Sequence, residues 1–201
     1  SGTPERRRKS RRECFICSLR SDNIMKYADI KHCDVANGTG VRTSLFVSGC
    51  THRCRGCFNE IAWDFNYGKE FTDEAVQEIL DSCGKSYISG LSLLGGEPME
   101  PQNQRALLPL VLRFKEQYPE KTIWCYTGYT YEADLLSPEG RAHCEVTPEF
   151  LACIDILVDG EFDQECYDLK LKFRGSSNQR VLQIHEPGCP ELFAVKDEST
   201  Q

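Results

Sequence analysis

At 201 residues, 40% hydrophobic and 27% charged, the chain has the size and balance of a globular unit able to bury a core. No apolar run approaches the roughly 20 residues of a membrane helix and no signal-peptide core is evident, so a cytoplasmic protein with no membrane partner is expected. The formal net charge is −7, divided as +5 over residues 1–20 and −12 over the rest, and an acidic body speaks against a nucleic-acid-binding core.

Residues 1–24 are polar, basic and aperiodic, and are expected to be a disordered extension or a segment added to a natural protein that starts at Met25. Cys14 and Cys17 within them make half of a zinc site, with no second well-spaced pair evident. Residues 25–201 are expected to form a single domain. Short apolar runs mark its strands: Ser44–Gly49, Gly90–Gly96, Lys121–Gly128 and Ile154–Gly160, mostly closed by glycine. Runs of this kind suit parallel strands covered by helices on both faces. Between them, Ala75, Val76, Ile79, Leu80 and Cys83 recur at helical spacing behind Thr72, a candidate N-cap followed by Asp73 and Glu74. A second helix places Leu107, Leu110, Val111 and Phe114 on one face, with Pro109 expected to kink it or delay its start. Repeating β-α units predict an α/β fold with a mostly parallel sheet, either open and doubly wound or a partial barrel. In both, chemistry gathers at the carboxyl ends of the strands.

Cys50, Cys54 and Cys57 lie at such an end, directly after the first run. Gly-Gly-Glu-Pro follows the second run, Thr-Gly-Tyr the third and Val-Asp-Gly the fourth, so four turns converge on one rim. Cys50-x3-Cys54-x2-Cys57 can wrap three thiolates around one corner of a four-iron cluster, which ordinarily takes four cysteines. Three local ligands leave one iron open for chemistry, as an open position does at catalytic zinc. Two alternatives remain at this stage. One is a structural zinc completed by His52 or Cys33, and the other a redox pair at Cys54 and Cys57. The other cysteines, Cys83, Cys125, Cys144, Cys153, Cys166 and Cys189, are scattered and read as small core residues.

The cysteine motif, with Gly95, Gly96, Glu97 and Pro98 one β-α unit later, resembles the radical S-adenosylmethionine superfamily. The blocks "NGTGVRTSLFVSGCTHRCRGCFN", "SLLGGEP", "WCYTGY", "ILVDGEF" and "RGSSNQR" together resemble the activators of anaerobic ribonucleoside-triphosphate reductase, from about Met25 to Arg180. The resemblance implies a 4Fe-4S cluster on Cys50, Cys54 and Cys57, with S-adenosyl-L-methionine chelated to the open iron. Reductive cleavage would give methionine and a 5'-deoxyadenosyl radical, which takes a hydrogen from one glycine of the partner reductase. The protein's part in such chemistry is placement.

By the same resemblance, Gly56 and Phe58 beside Cys57 contact the adenine end. Gly95 and Gly96 let the backbone approach the methionine moiety, while Glu97 and Pro98 fix the turn and offer carbonyls to the ammonium group. Thr127, with Gly128 and Tyr129, sits where relatives contact ribose or carboxylate. Tyr129 alone reads as helix-start packing. Arg42 either steers substrate or pairs with a surface acid, and "RGSSNQR" is a turn into a final strand without assigned chemistry. About 155 matching residues are few for a full barrel of ~250, which implies a partial radical S-adenosylmethionine barrel open to the reductase loop. A low-potential donor such as flavodoxin would supply the electron. The rivals are an activator of another glycyl-radical enzyme and a non-catalytic metal-binding module.

Overall fold

The computed structural model describes residues 24–184 and 190–193, so Cys14, Cys17, Cys189 and nearly all of the expected extension at 1–24 lie outside the described residues. Eight strands form one sheet in the order β3-β1-β2-β4-β5-β6-β7-β8. They are β1 (Lys26–Asp34), β2 (Val41–Val47), β3 (Lys69–Glu70), β4 (Ile88–Gly95), β5 (Thr122–Tyr126), β6 (Ile156–Asp159), β7 (Arg180–Ile184) and β8 (Pro190–Leu192). The order is linear, with β3 and β8 at the two edges, so the sheet is open.

The four strands expected from sequence are β2, β4, β5 and β6, and they pair in parallel as expected. The flanks differ: β1 runs antiparallel to β2 and β3, and β7 antiparallel to β6 and β8, so the sheet is mixed. For β1 and β2 the physical reason is connection length. A parallel crossover needs a dozen or more residues and usually a helix, whereas only residues 35–40 join β1 to β2. β1 escapes a search for apolar runs because it is largely polar, with three consecutive exposed residues, Lys31, His32 and Cys33.

Three helices connect the parallel strands: α1 (Asp73–Cys83), α2 (Pro101–Gln117) and α3 (Thr147–Leu151). Thr72 holds the N-cap position of α1, although its side chain makes no cap bond to the helix. The expected stripe Ala75, Val76, Ile79, Leu80 and Cys83 is buried. Pro109 does not delay α2, which starts at Pro101, where the missing N–H of proline falls among donors that have no helical partner anyway.

The helices and one sheet face share a single large core, including Leu45, Val47, Leu91, Leu93, Ile123 and Leu157. Among the described residues the opposite face is not covered by helices, which differs from the expected cover on both sides. It carries a small cluster of Trp124, Ile156, Val158 and Val181, packed by Tyr126, Phe173 and Phe193. Buried polar residues also lie on this face, among them Arg42, Ser44 and Ser92, beside the buried Phe46 and Leu94.

Candidate active site

The cysteine loop is pinned where β2 ends. Gly49 N–H donates to the Ala62 carbonyl at 2.8 Å and Cys50 N–H to that of Trp63 at 3.2 Å, so the 3₁₀ turn Glu60–Trp63 closes the loop back on its own start. The end of β4 joins from the other side, with Gly96 N–H on the Val47 carbonyl at 2.7 Å and Glu97 N–H on the Gly49 carbonyl at 2.8 Å. Thr51 donates through both N–H and hydroxyl to Glu100 Oε1, at 2.8 and 2.5 Å, tying the loop to the start of α2.

Cys50, Cys54 and Cys57 are free, half-buried thiols lining one cleft of about 620 Å³, within the roughly 300–1,000 Å³ of small-molecule sites. Backbone N–H groups face all three sulfurs: His52 and Arg53 toward Cys50, Phe162 toward Cys54, and Asn59 toward Cys57 at 3.4 Å. Such donors favour thiolate and tune an iron–sulfur cluster. Burial pushes the Cys50 thiol up to about 12, helped by Glu97, and the Cys54 thiol up to about 11, helped by Glu161. Coordination to a cation reverses that preference and takes the proton off.

Among the described residues no three His, Cys, Asp or Glu side chains are grouped to hold a single metal ion. A cubane does not require that, because each cysteine meets a different iron. The donor set, the facing N–H groups and the cleft therefore fit a cluster. The extra ligands considered for zinc are placed elsewhere: His52 faces Glu97 and Glu161, and Cys33 is exposed on β1.

Gly56, Phe58, Gly95, Gly96, Glu97, Thr127 and Gly128 line the same cleft. Pro98 is buried beside it and does not line it. Phe58 is 84% exposed on the rim. The room left by Gly95 and Gly96 is used by the protein itself. A Cβ at Gly96 would stand 2.6 Å from the Gly49 carbonyl oxygen, and one at Gly95, where φ is +113°, 2.7 Å from the Val47 nitrogen. These glycines let β4 close on the cysteine loop. Tyr129 is buried and packs on the His52 ring of the cysteine loop at 4.3 Å between centroids.

A family model described as a 4Fe-4S single cluster domain matches residues 36–182. An anaerobic ribonucleoside-triphosphate reductase-activating protein of Haemophilus influenzae is 44% identical over 159 residues, 78% of this chain and 97% of the relative. Proteins of the same name from Enterobacteria phage T4 and Vibrio cholerae are 41% and 43% identical, each over 78% of this chain and 93% and 97% of the relative. The chain belongs to this family of activating proteins.

In this activating protein, side chains outside the quoted motifs complete the cleft. Phe162, Gln164, Tyr167, Leu171 and Phe173 line it from the link between β6 and β7, as does Tyr126 from β5. The aromatic residues of that link were the only signal in the sequence, and without a period they assign no position. "RGSSNQR" has more than a turn's role, since Arg174, Gly175 and Gln179 also line the cleft. Gln179 bridges them, accepting from Gly175 N–H at 2.9 Å and donating to the Gly160 carbonyl at 2.9 Å.

Two buried side chains of the cleft, Glu97 and His52, form a pair. The Glu97 and His52 side chains are 2% and 3% exposed, with Oε2 and Nε2 3.1 Å apart. The angle departs from an aligned hydrogen bond, which leaves Nε2 a buried nitrogen held by charge alone. Burial pulls the imidazole pKa down, but Glu97, with Glu161 and Glu100 behind it, outweighs burial and raises it overall. No described helix is long and apolar enough to cross a membrane.

Proposed function

We propose that this chain is the activating enzyme of an anaerobic ribonucleoside-triphosphate reductase, generating a glycyl radical on that partner. Cys50, Cys54 and Cys57 would hold a 4Fe-4S cluster whose fourth iron takes S-adenosyl-L-methionine. When bound, cluster and cofactor supply one-electron cleavage of the sulfonium and a carbon radical that takes a hydrogen from a glycine Cα. The observation that carries this reading is that three unpaired cysteines, each faced by backbone N–H groups, share one cleft with the ends of three parallel strands.

The chain's own residues bind, orient and exclude water. Backbone donors would support the sulfurs as thiolates once a cluster is bound, and the rim of Phe58, Phe162 and Tyr167 gives the cofactor's adenine and ribose an apolar flank. Thr127 lines the cleft and is itself held, its hydroxyl accepting from Tyr129 N–H at 3.0 Å. Gly56 brings backbone to the same flank. The parallel strands β2, β4, β5 and β6, with helices on one face, support the finer reading of a partial radical S-adenosylmethionine barrel, and residues 25–201 would be its single domain. The electron would come from a low-potential donor such as flavodoxin, in the cytoplasm.

Single replacements of Cys50, Cys54 or Cys57 by Ala, assayed anaerobically for iron and for methionine release from S-adenosyl-L-methionine, test the ligand set. Wild type is expected to bind about four irons per chain and each variant to lose cluster and cleavage together. Full iron content and cleavage in all three variants would overturn the assignment.

A further inference from the structure

We infer that Glu97 and His52 form a buried latch, which fixes the cysteine loop against the turn after β5 and so sets where the three sulfurs stand in the cleft. One carboxylate oxygen makes the joint. Glu97 Oε2 accepts from Gly128 N–H at 2.8 Å and lies 3.1 Å from His52 Nε2. The other oxygen, Oε1, accepts from Met99 N–H at 2.8 Å, so the carboxylate cannot swing away without losing a bond. Glu97 thereby gathers the turn after β4, the turn after β5 and the loop after β2.

His52 lies between Cys50 and Cys54 in the chain and is gripped on every side. Its ring packs on Tyr129 at 4.3 Å, and its Nδ1 stands 3.8 Å from Glu161 Oε2. A Cβ on Gly128 would come within 2.8 Å of the imidazole, so glycine is what lets turn and ring meet. A sealed carboxylate is costly unless its charge is met, and both groups that meet Oε2, the Gly128 N–H and the His52 ring, come from segments that line the cleft. The sulfurs would otherwise ride on a loop containing Arg53 at φ +53° and Gly56 at φ +75°, conformations with little regular bonding to hold them. Both residues act through the loop, as positioning residues.

Hydrogen exchange on the full chain without cluster tests this directly. His52→Leu and Glu97→Gln should each speed exchange at Gly128 N–H and at the amides of residues 50–57 by about tenfold or more. The amides of Leu91 and Leu93 in β4 should stay protected, reporting an intact fold, and His52→Gln, which keeps an N–H donor, should restore most of the protection. Wild-type exchange at Gly128 in His52→Leu would overturn the latch. A second arm rests on the proposed function. In reconstituted protein the variants should retain iron yet show a changed reduced-cluster resonance and a severalfold higher KM for S-adenosyl-L-methionine, with His52→Gln close to wild type; unchanged spectrum and KM would count against the latch. If wild type itself takes up no cluster, the proposed function falls while the exchange arm still decides the latch.

Discussion

Five hydrogen bonds from one guanidinium join three strands near the middle of the sheet. Arg42 in β2 donates from Nε to Ser92 Oγ at 2.7 Å, from Nη1 to the Thr39 carbonyl and Thr122 Oγ1 at 3.2 and 3.1 Å, and from Nη2 to the Leu91 and Thr122 carbonyls at 2.8 and 2.7 Å. The residue is fully buried, and burial lowers its pKa to about 10, so it remains charged at neutral pH. Its charge also faces the Trp124 ring at 5.7 Å. Arg42→Met should therefore destabilise the fold by about 3 kcal/mol or more, since buried acceptors of β4 and β5 lose their donor, and a denaturant midpoint measures it. A midpoint unchanged from wild type would show that those acceptors find other partners. Neither role weighed from sequence, steering substrate or pairing with a surface acid, is the one observed. Nothing in a linear pattern distinguishes an arginine satisfied by carbonyls from one facing water. The cysteines differ, because three thiols within eight residues are close in the chain whatever the sheet does, and the structure places all three in one cleft.

The segment between β5 and α3 is held by a local charge network beside the cleft. Asp134 accepts from Thr130 N–H and Oγ1, both at 2.8 Å, and from Arg141 Nε at 2.8 Å. The Arg141 guanidinium, with the Thr130 donors, holds the carboxyl well below the usual aspartate range despite partial burial. A carboxyl depressed in the folded state stabilises fully above its unfolded pKa of about 3.9, and that contribution is lost as pH falls toward the folded value. The advantage of wild type over Asp134→Asn in thermal melting should thus be complete at about pH 6 and shrink below about pH 4. A pH-independent difference would assign the effect to packing instead. At this scale the parallel strands and both long helices were legible, because each is a short apolar run or a helical stripe. The strands β1 and β7 and their antiparallel sense were less so. β1 is polar, and the sense of β7 depends on a 20-residue link that carries only the short 3₁₀ turn Gln164–Cys166. That link supplies part of the cleft wall, including Phe162, Tyr167 and Phe173, residues that no periodicity could have placed.

On the scale of the whole molecule, helices close one face of the open sheet and leave the other for the cleft. Phe58 and Tyr167, which line the cleft, are 84% and 53% exposed, so its apolar rim meets solvent. An open rim of this kind suits the entry of a glycine-bearing segment from a larger partner, which has no side chain at the reacting carbon to obstruct approach. The convergence of four strand ends was legible from sequence because parallel β-α units put their carboxyl ends together whatever the loops contain. What remained hidden was how the turns are fastened: the room at Gly95 and Gly96 serves strand closure, and the Glu97 carboxylate points into the protein. The most direct measurement is electron paramagnetic resonance on anaerobically reconstituted, reduced protein, without and with S-adenosyl-L-methionine, and then with anaerobic ribonucleoside-triphosphate reductase added. The proposed function predicts a reduced-cluster signal that changes on adding S-adenosyl-L-methionine, followed by a glycyl-radical doublet on the reductase; an iron signal that ignores the cofactor and leaves the reductase without a radical would contradict it.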